Sequence, residues 1–229
     1  MKKLFLLSFA LIFLTFPVYA EYQAGDHELF LMPTAYTMPK GSSYFTDYEV
    51  AVLNYTYAVT SRTHIGVFSF FPINKKVLET AALGIKQNYY SSQKTSCALW
   101  SAYIPKNRVL NLGHVLSLGE KSKSFHFAVS ATHFFKDFDI TDSSGTNDLK
   151  QWAYTFTIGY RKDLSEKISL ISEYSYIVAP EKGQGTDFLA IGPRSRTKKI
   201  AWDIAAARPI IYDAPGIIVL PVLKATITF

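Results

Sequence analysis

Apolar and polar positions alternate with period two along most of the chain, the spacing of a β-strand with two different faces. From Trp152 to Arg161, Trp152, Tyr154, Phe156, Ile158 and Tyr160 share one face, and Ala153, Thr155, Thr157, Gly159 and Arg161 share the other. Ser124 to Phe135 repeats the pattern, with Phe125, Phe127, Val129, Ala131 and Phe135 opposed by His126, Ala128, Ser130 and Thr132. In Ala81 to Tyr89, Leu83 and Ile85 oppose Gly84, Lys86 and Asn88. A soluble sandwich would turn its apolar face inward and expose charge. Here the polar face is small-residued and sparsely charged, and the apolar face carries aromatics near its ends. This inversion is expected of a transmembrane antiparallel up-and-down β-barrel, an all-β fold.

The pattern predicts twelve strands, near 27–37, 44–59, 62–71, 80–91, 95–104, 108–119, 124–135, 152–162, 167–178, 187–194, 199–208 and 217–229. Their connections fall into two kinds. Thr60-Ser61, Ser92 to Lys94, Glu120 to Lys123, Asp163 to Glu166 and Ser195 to Lys198 are short and polar, as periplasmic turns are. Pro72 to Glu79, Lys136 to Gln151, Ala179 to Thr186 and Pro209 to Gly216 are longer, as outer loops are. Segment 27–37 is the weakest strand, because Pro33 and the nearby Pro39 interrupt it. Tyr55 and Tyr57, and Trp152 and Tyr154, are expected at the two membrane interfaces.

The first twenty residues are expected to be removed. Lys2 and Lys3 precede an apolar run from Leu4 to Phe16, too short for a spanning helix of roughly 20 residues, and Val18-Tyr19-Ala20 has the small residues of a signal-peptide cleavage site. Residues 1–20 are read as a signal peptide cleaved after Ala20, and 21–229 as the barrel.

Composition narrows the classes further. The chain of 229 residues is 48% hydrophobic and 18% charged, with 15 Tyr and 17 Phe, which excludes a disordered or low-complexity protein. One cysteine, Cys97, excludes a disulfide framework and a Cys-rich metal site. The net charge of +6 is scattered over turns and loops, so nucleic acid is not expected as a partner.

Pro221, Leu223, Ala225, Ile227 and Phe229 lie on one face of the last strand, opposite Val222, Lys224, Thr226 and Thr228. This pattern resembles the C-terminal assembly signal of Gram-negative outer-membrane barrel proteins. The resemblance implies residence in the outer membrane, contact with its lipid, and insertion by the barrel assembly machinery. The segment Met32-Pro33-Thr34-Ala35-Tyr36-Thr37-Met38-Pro39-Lys40-Gly41 is similar to the start of uncharacterised outer-membrane barrels, a resemblance that implies no activity.

Function depends on the inner face. Lys86, Arg161, Glu173, Arg194, Asp203 and Lys224 are expected to point inward. Hairpin folding brings Glu173 toward Arg194 and Asp203 toward Lys224, leaving Lys86 and Arg161 without a recognisable partner. The set is either a constriction that selects small polar solutes or a self-neutralising network that supports the wall.

No catalytic residue, metal site or cofactor is assigned. His126 and His133 have opposite parity, and Ser130 is about 13 Å from His126 along the strand. His114 falls awkwardly among Leu112, Leu116 and Leu118, which points to a bulge or a misjudged face. Asp137, Asp139, Asp142 and Asp148 imitate a calcium loop only loosely, because Asp142 occupies the glycine position. Gly183-Gln184-Gly185 is read as a turn. These readings favour a porin-like narrow channel or passive membrane protein, of unknown solute. A structural or adhesive surface protein and a lipid-modifying enzyme are the alternatives.

Overall fold

The computed structural model describes residues 22–49, 52–70, 81–135, 152–179, 184–210 and 219–229. In it the alternating segments join edge to edge into a closed ring: β1 Ser43–Tyr48, β2 Val52–Ala58, β3 Thr63–Phe70, β4 Ala82–Ser91, β5 Thr95–Ile104, β6 Val109–Glu120, β7 Lys123–Phe134, β8 Trp152–Asp163, β9 Ile168–Ala179, β10 Gln184–Arg196, β11 Ile200–Ile210 and β12 Leu220–Thr228. Each strand pairs antiparallel with its sequence neighbours, and β1 closes on β12 from Tyr44↔Thr228 to Tyr48↔Lys224. Closure removes sheet edges, so the wall satisfies its own backbone donors and acceptors away from water.

Leu83, Ile85, Phe125, Phe127, Phe156, Ile158, Trp202, Ile204 and Leu223 are all exposed on the outer face. Tyr55, Tyr57, Trp152 and Tyr154 are exposed there too. An apolar, aromatic exterior of this kind is matched to lipid rather than to water. Between these positions lie buried small residues: Ala98, Ala128, Ala190, Ala205 and Ala207. The interior they line is not empty.

Residues 22–42 fold into that interior, which corrects the first predicted strand. Segment 27–37 makes no ladder with the wall. It forms a tight loop closed by a single bridge, Glu28↔Pro33, with Leu29 N–H donating to Met32 C=O and Thr34 N–H to His27 C=O. Pro33 lacks a ladder donor, and Gly25 adopts φ +82, a left-handed turn that suits glycine. The predicted strand 44–59 is instead two strands, β1 and β2, paired from Ser43↔Tyr57 to Tyr48↔Val52. One predicted strand was lost and another divided, so twelve remain.

The short connections gather at the end of the barrel that holds Ser43 and Phe229, hereafter the terminal end. Residues 72–79, 136–151, 180–183 and 211–216 of the longer connections, with the Asp-rich loop, the signal peptide and Ala20, lie outside the described residues. Gly183 does too, whereas Gln184 and Gly185 already belong to β10, correcting their reading as a turn.

His114 is on the outer face, where Tyr89 Oη lies 2.7 Å from its Nε2. β6 pairs without interruption through His114 and keeps the facing read from its alternation, so neither the bulge nor the misjudged face is found; a register shift lies instead in β4, between Asn88 and Tyr90. That shift lets Tyr89 reach the imidazole. His133 stacks on Trp152 at 4.5 Å between ring centroids.

Candidate functional site

The site is the junction between the inward segment and the wall. A loop inside a barrel brings backbone N–H and C=O groups into a space with little water, and each needs a partner. The inward charges supply them.

Glu173, on β9, accepts the backbone N–H groups of Phe30, Leu31 and Met32, each at 3.1 Å and all on Oε2. Arg194, on β10, donates to the carbonyls of Gly25, Glu28 (3.0 Å) and Leu29 (2.9 Å). Lys224, on β12, donates to the carbonyls of Leu29 and Phe30. Lys86, on β4, donates to those of His27 (3.3 Å), Thr34 (3.2 Å) and Tyr36 (2.8 Å). The acidic side chain thus meets amide donors and the basic ones meet carbonyls.

Register explains part of this set. Arg194 is directly opposite Asp203, and Asp203 is directly opposite Lys224. The three form a buried row, with Arg194 Nε to Asp203 Oδ1 at 2.5 Å, Nη2 to Oδ2 at 2.7 Å, and Lys224 Nζ to Asp203 Oδ2 at 3.0 Å. The predicted approach of Glu173 to Arg194 is corrected: Glu173 faces Ala190, and Arg194 faces Ser169 four residues away. Lys86 and Arg161, unpartnered in the sequence reading, are both engaged. Arg161 bonds Asp26 at 2.6 Å and Asp163 at 3.2 Å.

Several members were missed because they lie on the inward segment or across the sheet from any sequence neighbour. Asp26 also lies 3.5 Å from Arg196 and 3.8 Å from Lys121. Glu28 meets Lys224 at 3.4 Å, Tyr48 Oη at 2.5 Å, Thr46 Oγ1 at 3.3 Å and His27 Nε2 at 3.1 Å. Burial alone would raise the Glu28 carboxyl, but Lys224 and His27 hold it well below the usual carboxylate range. Burial pushes His27 below its ordinary value despite the neighbouring Glu28. One signal was available: Asp26-His27-Glu28 are consecutive polar residues, and a barrel strand would have turned one of them toward lipid.

On the opposite wall, Asn88 Nδ2 donates to Ala35 C=O at 2.7 Å, Ser117 Oγ accepts Ala35 N–H at 2.9 Å, and His64 Nε2 accepts Met38 N–H at 3.0 Å. Apolar contacts complete the seat. Leu29, Phe30, Met32 and Ala35 pack with Ala98, Val115, Ala128, Ile171, Ala190, Ala205 and Ala207, and a Cβ on Gly159 would collide with the Leu29 side chain.

His126 has hydroxyls on both sides, Ser117 Oγ at 2.7 Å from Nδ1 and Ser124 Oγ at 2.9 Å from Nε2. Ser117 was missed because it sits across the sheet, paired with His126 between β6 and β7. The distances would suit nucleophilic chemistry. However, Ser117, Ser124 and His126 are fully buried, and Ser117 already holds the inward segment.

No family model matches the chain, and no curated protein does. The fold does have solved counterparts. An outer membrane channel from Pseudomonas putida F1 superposes with a TM-score of 0.57 at 13% identity, over 91% of this chain and 100% of that one. The NanC porin superposes with a TM-score of 0.55 at 7% identity, over 82% of this chain and 98% of that one. At such identities the likeness is one of fold alone, a closed antiparallel β-barrel.

Proposed function

We propose that the protein is an outer-membrane channel of the porin kind whose bore is narrowed by its own residues 22–42. The observation that carries this reading is the anchoring of a non-strand segment inside a closed, lipid-matched barrel by Lys86, Glu173, Arg194 and Lys224. A purely structural barrel of this size needs only paired charges and large side chains to fill it. Here charges and small residues line the wall together, and residues 22–42 are a separate stretch of chain seated against them. Leu31, at the tip of the inward loop, is 53% exposed.

The apolar exterior and the fold likeness support location in the outer membrane of a Gram-negative cell, and Lys2-Lys3, the apolar run from Leu4 to Phe16 and Val18-Tyr19-Ala20 support export with cleavage after Ala20. The alternation ending at Leu223, Ala225, Ile227 and Phe229 supports insertion by the barrel assembly machinery. The lumen charges act mainly as anchors, so any selectivity is exerted through the segment they hold. The reading is non-enzymatic.

Planar-bilayer conductance of the refolded mature chain tests it. The intact protein should pass a small current, and Arg194→Gln and Glu173→Gln should each raise it severalfold by loosening the segment. Absence of current from all three would contradict the channel reading, and equal currents would remove the anchoring role.

A further inference from the structure

The inward segment leaves a cavity of about 210 Å³ on one side of the lumen, against β1 to β5. We propose that this cavity is a binding site for a small neutral solute with an apolar body and one hydrogen-bond acceptor. The assignment deepens the channel reading and rests on it for the route by which the solute arrives.

Size and shape come first. The cavity is somewhat larger than the ~150 Å³ apolar cavity that admits benzene, which corresponds to a solute of about eight to ten heavy atoms. At its terminal end the inward segment crosses the floor, fastened by Met38 N–H to His64 and by Lys86 to Tyr36 C=O. The site is therefore a blind pocket rather than an open lane.

The lining sets the chemistry. Phe68, Trp100, Leu31, Pro33 and Tyr44 supply apolar and aromatic wall. Trp100 is fixed by its Nε1–H donating to Asn111 at 2.9 Å, which holds its ring in place. Glu28 and Lys86 are the charged lining residues, and neither is open to a ligand charge. Lys86 donates to three carbonyls, and Glu28 is paired with Lys224, Tyr48 and His27. Asn54 and Thr56 bond one another at 3.1 Å.

His64 is the exception. Its Nε2 accepts the Met38 N–H, so the ring proton resides on Nδ1, and that buried nitrogen has no hydrogen-bond partner in the protein. His64 lines the chamber, and a donor left this way beside it is the complement of a carbonyl, ether or hydroxyl oxygen on an apolar ligand.

The test uses the mature protein in detergent, with Trp152→Phe and Trp202→Phe on the outer face so that Trp100 reports alone. Cyclohexanol should give a saturable change in Trp100 fluorescence. The apparent affinity should fall at least tenfold in His64→Phe, and the response should vanish in Ala102→Phe, which fills the chamber without touching an anchor of the segment. Cyclohexylammonium should give no saturable change. The proposal is overturned if cyclohexanol never saturates, if Ala102→Phe responds like its parent, or if the cation binds equally well. Binding read in detergent needs no pore. Binding without conductance therefore overturns only the channel reading, and conductance without binding overturns only this assignment.

Discussion

At the scale of single residues, the structure turns on side chains that satisfy another segment's backbone. Arg194 is the most heavily engaged, bridging Asp203 and three carbonyls of the inward segment while fully buried. Replacing it with Gln leaves Asp203 with Lys224 alone and takes a donor from three carbonyls, of which Leu29 keeps Lys224. The expected cost is about 3–5 kcal/mol, as for breaking a buried ion pair, read as a lower thermal midpoint in detergent; an unchanged midpoint would refute the anchoring role. Glu28 adds a pH dependence. Its folded value is depressed below the ordinary one, so its contribution to docking is complete above the unfolded value of about 4.3 and fades as pH falls through the folded value. Protease protection of residues 22–42 should be constant from neutral pH down to about 5 and weaken in strong acid, with less loss in Glu28→Gln. Protection that declines instead on going alkaline would contradict that sign.

Among the elements, the strands were legible and the inward segment was not. Alternation such as Phe125-His126-Phe127 places a strand, gives its facing and, with short turns, gives its neighbours. It correctly turned Lys86, Arg161, Glu173, Arg194, Asp203 and Lys224 inward, where all six are buried. It could not supply the partners of Lys86, or Asp26 for Arg161, because those belong to residues 26–36, whose route is set by tertiary contacts without any period; Asp163, two residues beyond Arg161 on the same face, was the legible partner. The even count was also uninformative: splitting 44–59 compensated for losing 27–37. Small inward residues are the visible trace of the seat. Gly159 is the sharpest of them, since any side chain there meets Leu29. Gly159→Leu should therefore unseat the loop while the strands persist, giving new proteolytic cleavage within 22–42 with an unchanged far-UV β spectrum. Cleavage resistance equal to the parent would show that Leu29 is not seated there.

For the molecule as a whole, two solvents are handled by one alternating pattern. The outer face meets lipid with Phe, Ile, Leu and aromatic rings, and the inner face meets a piece of its own chain through charges and small residues. The barrel is held by its ladders and the segment by side-chain anchors, so the two are separable in energy, and the segment is the part free to respond to conditions without loss of the wall. The central claim is that residues 22–42 are docked inside the lumen, and hydrogen–deuterium exchange of the refolded mature protein tests it most directly. The amides of Leu29, Phe30, Leu31, Met32, Thr34, Ala35 and Met38 all have acceptors within the lumen. They should exchange at least about a thousandfold more slowly than an unstructured chain, and Phe30, Leu31 and Met32 should lose most of that protection in Glu173→Gln. Exchange of these seven amides at the unstructured rate would contradict the account.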